Sequence, residues 1–302
     1  MSSHMSLVDA VMYFGTEVNA ERWFEKRRWK NGIRCAHCES RRVSRVSGRP
    51  QPFRCRQCWK YFSVKTNTIM QSSKLPLSKW AITCYLIISQ PKGISSIQLA
   101  KHIGVQQRTA WLMLHKIREI WNSEDRVFLG PVEVDEAYIG GLEKNKHAHR
   151  KLRAGRGGIG KTTVVGIRDR ATKRVFAMPV ERANSIVLHH FVHASTFPDT
   201  SVSTDDNFSY RGIRRIHGAV SHTRGEYVRD WVSTNGIESF WPLFKRGFKG
   251  TYHQMSRKHL QRYLNEFMGR NRLRRYSIEG RMSRMVWEFE GKQITYHELI
   301  NG

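Results

Sequence analysis

The sequence predicts an α/β protein in which a mixed-sheet domain follows a small metal-binding module and a helical module. Three observations lead to this prediction. Four cysteines form two close pairs near the start of the chain, helical spacing of apolar residues dominates the next section, and short β-like runs begin after Leu129-Gly130-Pro131. Because helical periodicity stops at this glycine and proline, we place a domain boundary there.

The cysteine spacing is the strongest local signal. Cys35 and Cys38 form the first pair, Cys55 and Cys58 form the second, and sixteen residues lie between the pairs. This is the spacing of a zinc ribbon, in which four thiolates bind one tetrahedral Zn²⁺. So short a segment builds no sizeable core, and the metal stabilises its fold instead. Four protein ligands leave no position for water, so we predict one structural zinc per chain.

The charge of the chain predicts its partner. Among 302 residues there are 52 Lys and Arg against 25 Asp and Glu, a net charge of +27. An acidic membrane surface attracts such charge too, but a zinc module on so basic a chain favours nucleic acid, bound through its phosphates. No run is apolar and long enough to span a bilayer. We therefore expect a cytoplasmic, nucleoid-associated protein that binds double-stranded DNA and no membrane.

The helical module follows the ribbon. Periodicity predicts a helix over residues 77–89 and a helix-turn-helix over residues 95–120, with Gly104 in the turn. An ordinary antiparallel helix pair has the same pattern. The zinc module and the charge favour DNA reading, in which the start of the second helix contacts base edges. The residues at that start are Gln106, Gln107, Arg108 and Thr109.

Short β-like runs after the boundary predict a mixed α/β sheet, because three early strands are followed by alternating helix and strand. The predicted strands are residues 132–139, 163–167, 174–180, 200–204 and 218–222, with a helix at 184–194 and further helices from residue 235.

A glycine-rich segment at residues 155–162 matches the phosphate-binding loop pattern G-x4-G-K-[ST]. Such a loop leaves a buried strand and opens a helix, whose N-terminus binds the phosphates. This segment instead follows a polar run and enters a β-like run. We therefore interpret it as a flexible basic loop that contacts DNA through Lys151, Arg153, Arg156 and Lys161.

Three acidic residues of the second domain are candidates for catalysis. Asp135 is placed mid-strand, Asp205 at the end of a later strand and Glu238 on a predicted helix over residues 235–248. Carboxylates at these places can meet at one point, where they repel one another unless cations bind. Two Mg²⁺ or Mn²⁺ ions suit such oxygen ligands and promote phosphodiester transfer.

Each acid also has an ordinary structural alternative. Asp205 or Asp206 could cap the following helix, and Glu238 could be a solvated helix charge. Glu133 and Glu136 compete with Asp135 for the role on the first strand of the sheet.

A basic surface is predicted beside the acids. Lys245 lies two helical turns after Glu238 on the same face, so it can reach a phosphate held by the carboxylates. The other predicted DNA contacts in this region are Arg246, Lys249, Arg257, Lys258 and Arg262.

Several segments together resemble one family, the ISXO2-like (IS fifteen-ninety-five) group of DDE-class insertion-sequence transposases with an N-terminal zinc ribbon. The resemblance extends over nearly the whole chain. Its carriers are the ribbon, Ser72-Ser-Lys-Leu-Pro-Leu77, Val134-Asp-Glu-Ala-Tyr-Ile-Gly-Gly141, Thr204-Asp205, Asn235-Gly-Ile-Glu-Ser-Phe-Trp241, Lys245-Arg-Gly247, Gly250-Thr-Tyr-His253 and His259-Leu-Gln-Arg-Tyr263.

The resemblance implies a ribonuclease-H-like catalytic domain, with Asp135 and Asp205 as the first two acids and Lys245 as the basic residue. It leaves Glu238 and Asn235 as alternatives for the third ligand; we favour Glu238, because three anions compensate two divalent cations better. The expected segments are an N-terminal helical segment (1–30), the zinc ribbon (31–66), the helix-turn-helix domain (74–125), the catalytic domain (130–280) and a C-terminal segment (281–302).

The implied activity is transposition. A protein of this family would bind the terminal inverted repeats of an insertion sequence, cut a strand with water, and join the freed 3′-hydroxyl to target DNA, as a homodimer or larger assembly. Two other functions remain open. One is a DNA-binding regulator without enzymatic activity, in which the second domain only dimerises. The other is a nuclease of similar fold that cuts DNA without joining it.

Overall fold

The computed structural model describes residues 5–122, 126–141, 147, 151, 158–221 and 224–301. The chain divides into two compact units. The first comprises Met1–Asn122 and Leu273–Gly302, and the second comprises Ser123–Arg272.

The helices within the described residues are α1 (Leu7–Phe14), α2 (Glu17–Arg28), α3 (Leu77–Ser89), α4 (Ser96–Ile103), α5 (Gln107–Ile120), α6 (Ser185–Ser195), α7 (Asn235–Glu238), α8 (Phe240–Gly247), α9 (Leu260–Leu273), α10 (Ile278–Trp287) and α11 (Tyr296–Asn301). The strands are β1 (Val43–Arg45), β2 (Phe53–Cys55), β3 (Tyr61–Phe62), β4 (Val132–Ile139), β5 (Thr162–Asp169), β6 (Val175–Val180), β7 (Ser201–Asp205), β8 (Ile216–Val220), β9 (Val228–Arg229) and β10 (Val232–Ser233).

The helices of the first unit begin at residues that suit helix starts. The Ser6 side chain accepts a hydrogen bond from the Asp9 amide at α1, and the Asp9 carboxylate accepts from the Ser6 amide in return. Thr16 caps α2 and separates it from α1. Ser95 caps α4, which ends at Gly104 in the left-handed conformation at φ 60°. Helices α4 and α5 therefore lie on either side of a tight turn.

The C-terminal residues belong to the first unit. Leu273, Met282, Met285 and Phe289 are buried in the same apolar core as α1 to α5. The amide of Ile69 donates to the carbonyl of Phe289 at 3.2 Å. The second unit therefore ends at Arg272, before the predicted boundary at residue 280, because the apolar residues that follow fill the core of the first unit. The predicted C-terminal segment (281–302) likewise belongs to the first unit, and it contributes Met282, Met285 and Phe289 to that core.

The second unit contains a five-stranded sheet in the order β6-β5-β4-β7-β8. Strands β4, β5 and β6 pair antiparallel, whereas β7 runs parallel to both β4 and β8. This mixed sheet agrees with a ribonuclease-H-like domain. All five predicted strands are present, although β8 begins two residues before the predicted start.

Helices cover both faces of this sheet. One face packs against α7, α8 and α9 through buried residues such as Ala137, Trp241 and Phe267. The other packs against α6 through Val134 and Leu188. Even-numbered and odd-numbered residues of β4 therefore point into different layers.

The predicted helix over residues 235–248 is interrupted. Helix α7 ends at Glu238 and α8 begins at Phe240, with Ser239 between them in a helical conformation. Pro242 explains the interruption, because it has no N–H to donate to the Glu238 carbonyl. A π-helical turn, Phe248–Tyr252, continues the segment.

Among the described residues, no helix is both long enough and apolar enough to cross a membrane.

Candidate functional site

The four predicted zinc ligands meet at one point in the ribbon. Their sulfur atoms all lie within 4.8 Å of one another. The Sγ atoms of Cys35 and Cys58 are 3.6 Å apart, and those of Cys38 and Cys55 are 3.7 Å apart. Zn–S bonds of about 2.3 Å in a tetrahedron place the sulfurs about 3.8 Å apart. The arrangement therefore fits a structural Zn²⁺ bound by four thiolates.

Two similar turns build this cluster. Each cysteine pair is followed by a residue with positive φ, Glu39 at 59° and Trp59 at 64°. Each turn is closed by an amide of the first cysteine, which donates to the carbonyl of Ser40 (2.9 Å) in one turn and of Lys60 (3.0 Å) in the other. The amides of His37 and Gln57 point at the Sγ atoms of Cys35 and Cys55, at 3.4 Å and 3.3 Å. These donors stabilise thiolates.

A carboxylate cluster lies where β4 and β7 run side by side. Glu133 pairs with Ser203, so Asp135 and Asp205 are each two residues further along these parallel strands. Carboxylate oxygens of Asp135, Glu136 and Asp205 lie within 4.8 Å of one another. The fold thus joins two acids that are seventy residues apart in sequence.

Burial and mutual repulsion change the acidity of this cluster. Burial, together with the charges of Asp205 and Glu238, raises the pKa of Asp135 to about 6. Burial also raises the pKa of Glu136 to about 7. Three carboxylates this close favour a bound cation, and hard oxygen ligands suit Mg²⁺ or Mn²⁺. The donor set therefore fits a divalent metal ion.

An indole holds Asp135 in place. The Nε1 of Trp241 donates a hydrogen bond to Oδ2 of Asp135 at 3.0 Å. The ring reaches this position across Gly166, which pairs with Asp135 on β5. A Cβ at Gly166 would lie 2.6 Å from the ring. Glycine on the neighbouring strand thus makes room for the contact.

Glu133 has a structural role that differs from that of Asp135. Its carboxylate accepts from the amide of Ile237 at 2.7 Å and pairs with Nε of Arg170 at 3.1 Å. The same guanidinium donates to the carbonyls of Trp231 and Ser233. Glu133 and Arg170 therefore hold the start of α7 against the sheet.

Glu238 lies outside the close cluster of three carboxylates that the described residues form. Its Oε1 accepts a hydrogen bond from the Thr234 hydroxyl at 2.6 Å. Its charge still raises the pKa of Asp135. Asn235, the alternative ligand, is exposed at the start of α7. Of the two, only Glu238 interacts electrostatically with the cluster in this way.

Comparisons with known proteins match the two regions of the chain that contain the cysteine and carboxylate clusters. Residues 127–271 match the model of the ISXO2-like transposase domain, and residues 15–61 match that of the transposase zinc-ribbon domain. The two matches together cover more than half of the chain. The chain belongs to the ISXO2-like transposase family. The match at residues 127–271 coincides closely with the second compact unit.

A relative supports this membership in the family. The chain is similar to a protein in transposable element ISH50 of Halobacterium salinarum. The two are 26% identical over 268 residues, which cover 84% of this chain and 90% of that protein. Sequence similarity to this protein thus extends over both units.

The predicted basic residues of this transposase-family chain fall into three groups. Lys245, Arg246 and Lys249 are exposed on α8 and the π-helical turn after it. Arg257 and Lys258 are exposed before α9, whereas Arg262 is half-buried and contacts His259 at 3.2 Å. In the glycine-rich loop, Lys151 is exposed and Lys161 is half-buried, while Arg153 and Arg156 lie outside the described residues.

The segment that matches the phosphate-loop pattern enters a strand. Thr162 is the first residue of β5, and no helix follows it. The described end of this segment, residues 158–161, thus leads into a strand as predicted, while residues 155–157 lie outside the described residues.

The predicted base-reading residues lie at the start of α5. Gln106, Gln107 and Arg108 are exposed, and Thr109 is half-buried. Gln107 donates to the Ser96 hydroxyl at 2.7 Å. Nε of Arg108 donates to the Tyr296 hydroxyl at 3.1 Å, so α11 lies against the start of α5. No local pattern indicates this contact, because it joins residues far apart in the chain.

Sequence reasoning missed the residues that surround the acids. Trp241 stood in a motif without an assigned role, and Tyr210 and Arg170 had none. The Tyr210 side chain is fully buried, and this burial, together with the charge of Glu136, raises its pKa well above the ordinary value. Because these contacts arise from sheet topology, no local spacing in the sequence indicates them.

Proposed function

We propose that this protein is a DNA transposase that binds the terminal inverted repeats of an insertion sequence and catalyses metal-dependent phosphodiester hydrolysis and strand transfer. The observation that carries this proposal is the convergence of Asp135, Glu136 and Asp205 within 4.8 Å, in a domain of the ISXO2-like family. A sheet that brings carboxylates together at a burial cost is typical of a metal-dependent active site.

Asp135 and Asp205 would bind the catalytic Mg²⁺ or Mn²⁺ ions, with Glu238 as the third acid. When bound, the metal supplies activation of water or a 3′-hydroxyl and stabilises the leaving oxygen. Trp241 fixes one oxygen of Asp135, which leaves the other for the metal. Lys245, exposed on α8, is free to bind a phosphate of the DNA at this site.

The remaining modules would position the DNA. The start of α5 would read base edges, while basic side chains such as Arg246 and Arg257 would contact phosphates and set the register. Two element ends must be held together for joining, so we propose a homodimer or a larger assembly. The zinc ribbon would stabilise the DNA-binding unit rather than take part in chemistry.

A strand-transfer assay tests this proposal. Purified protein would be mixed with Mg²⁺ or Mn²⁺, a target duplex and a labelled terminal repeat that is already cut at its 3′-end. Joined product that disappears in Asp135→Asn is the expected result. A parallel reaction would contain an uncut repeat: cleavage there, with no joining of the pre-cut repeat, would instead indicate a nuclease. Repeat binding without either reaction, unchanged by Asp135→Asn, would indicate a regulator.

The same assay separates the candidates for the third ligand. Glu238→Gln and Asn235→Ala would be compared at equal protein concentration. Loss of joining in Glu238→Gln alone supports Glu238, because the amide keeps the shape of the side chain but removes its charge. Loss in Asn235→Ala alone would overturn this choice.

A further inference from the structure

A cavity of about 290 Å³ opens beside Asp205 in the second unit. It is separate from the β4 side of the acid cluster, and its walls come from the end of β7, from β8 and from the β9 hairpin. Three arginines line it: Arg211, Arg224 and Arg229.

The acids in this wall already have partners. The Asp206 carboxylate accepts from the Ser221 hydroxyl at 2.6 Å. Glu226 accepts from the Ser221 amide at 3.2 Å and lies 3.7 Å from Arg229. Arg229 also donates to the carbonyl of Ala219. Glu226 is therefore paired with a cation in the wall, Asp206 is held by a neutral hydroxyl, and Asp205 accepts from the Asn207 amide at 3.3 Å.

Arg211 and Arg224 differ from Arg229. Within the described part of the chain, neither forms an ion pair with a carboxylate, and both are exposed. The Arg211 guanidinium lies over the Phe208 ring, 5.0 Å from its centroid. This contact holds the guanidinium at the cavity without using its donors on a carboxylate. Two positive groups thus face an open volume next to a catalytic acid.

We propose that this cavity binds a backbone phosphate of the DNA strand that is cut, the phosphate adjacent to the scissile one, through Arg211 and Arg224. This inference rests on the proposed function. Guanidinium groups present a planar set of donors that matches phosphate oxygens. Because Asp205 belongs to both the acid cluster and the cavity wall, a strand whose scissile phosphate reaches the cluster places its neighbouring phosphate here.

The arrangement also fits the charge of the site. A cation at the acid cluster compensates Asp205, which would otherwise repel a phosphate. The cavity then presents the two arginines and the paired Arg229 to the strand. Arg211 and Arg224 are therefore positioning residues, which hold the strand in register for attack and take no part in bond breaking.

The test measures binding of a terminal-repeat duplex by proteins whose acids are all intact, with Ca²⁺ in place of Mg²⁺, so that a cation can occupy the oxygen ligands while no strand is cut. Arg211→Ala and Arg224→Ala would be compared with the control Arg214→Ala, another exposed arginine on the same unit that does not line the cavity. Each duplex would be made with natural phosphates or with one neutral methylphosphonate next to the scissile position.

We expect Arg211→Ala and Arg224→Ala each to weaken binding about tenfold and to reduce the salt dependence by about one phosphate contact. On the duplex with the methylphosphonate at the contacted position, the same variants should cause almost no further loss. Arg214→Ala should weaken both duplexes equally. The proposal would be overturned if Arg211→Ala and Arg224→Ala weakened binding of the modified duplex by the same factor as binding of the natural duplex. It would also be overturned if their effects on binding equalled that of Arg214→Ala.

Target DNA is a second source of the same phosphate chemistry. A methylphosphonate placed only in the target duplex would be tested in strand transfer with the intact acids. If the effect of Arg224→Ala depended on the methylphosphonate in the target duplex but not on the one in the repeat, the assignment to the cut strand would be overturned. Since the binding arm needs no catalysis, coupling on the repeat without any joining would overturn the transposase function but leave the phosphate site in place.

Discussion

The zinc ribbon and the acid cluster each bring potential metal ligands within a few ångströms of one another, but they are built in opposite ways. The ribbon takes its ligands from two turns within residues 35–58, each closed by its own backbone hydrogen bonds. The acid cluster takes them from β4 and β7, which become neighbours only when the sheet forms. One site is closed by four thiolates, whereas in the other the carboxylate of Asp205 also lines an open cavity.

This difference separates a site that stabilises the fold from one that costs stability. The ribbon thiolates accept amide hydrogen bonds and would be fully satisfied by one zinc. Asp135 and Glu136 are kept protonated at higher pH than usual by burial and by their neighbours. Such destabilisation is typical of a site that binds its metal together with a substrate.

Removal of the zinc should have the largest effect. Cys35→Ser should lose the zinc and unfold the ribbon, because a structural zinc contributes on the order of 10 kcal/mol to so small a module. Zinc content by native mass spectrometry and hydrogen exchange of residues 33–62 would measure this. Cys84→Ala, at a buried cysteine outside the cluster, should keep its zinc. A Cys35→Ser protein with a full zinc content would contradict the four-thiolate site.

Asp135→Asn should lower the joining activity but raise the stability of the metal-free protein. We expect joining to fall by at least about 10³-fold, since a metal ligand supports several kcal/mol of transition-state stabilisation. The metal-free variant should melt at a slightly higher temperature than the wild type, because a buried and repelled carboxylate is gone. Calorimetry without metal would measure the second effect. A lower melting temperature would mean that Asp135 supports the fold.

The pH dependence of stability should follow the acid cluster. The folded protein holds the Asp135 proton up to about pH 6, against an ordinary pKa of 3.8. Between these values the folded state binds more protons than the unfolded state, so stability falls as the pH rises. We expect a loss of about 1–2 kcal/mol from pH 4 to pH 7 in metal-free protein. The pH profile of unfolding free energy should lose this component in Asp135→Asn. A variant profile identical to that of the wild type would contradict the contribution of Asp135.

Trp241→Phe should have the smallest effect. It removes the donor to Asp135 and keeps most of the ring volume, so about tenfold weaker Mn²⁺ binding is expected from the loss of one charge-assisted hydrogen bond. Titration of Mn²⁺ followed by electron paramagnetic resonance would measure this. Trp287→Phe, at a tryptophan of the first unit, is the matched control. Equal affinities in the two variants would show that the indole does not position the acid.

Local patterns predicted much of this molecule. The zinc ligands, the turn at Gly104 and the strands of the sheet follow from spacing and periodicity over a few residues. The β4 boundaries agree with the prediction at both ends.

Contacts between distant segments could not be predicted. Glu133 and Asp135 are both acidic residues of β4, two positions apart. Glu133 nevertheless caps α7 and pairs with Arg170, whereas Asp135 joins the acid cluster. The return of α10 to the first unit depends on which core Met282 and Met285 fill. Both outcomes are decided by packing, which a single sequence does not display.

The most direct test of the central claim, that Asp135 and Asp205 bind the catalytic metal, is a change of metal preference in Asp205→Cys. A thiolate is a poor ligand for the hard Mg²⁺ ion and a better one for the softer Mn²⁺. We predict that the variant is inactive in strand transfer with Mg²⁺ and recovers measurable joining with Mn²⁺, whereas the wild type is active with both. Full activity of the variant with Mg²⁺ would contradict the claim.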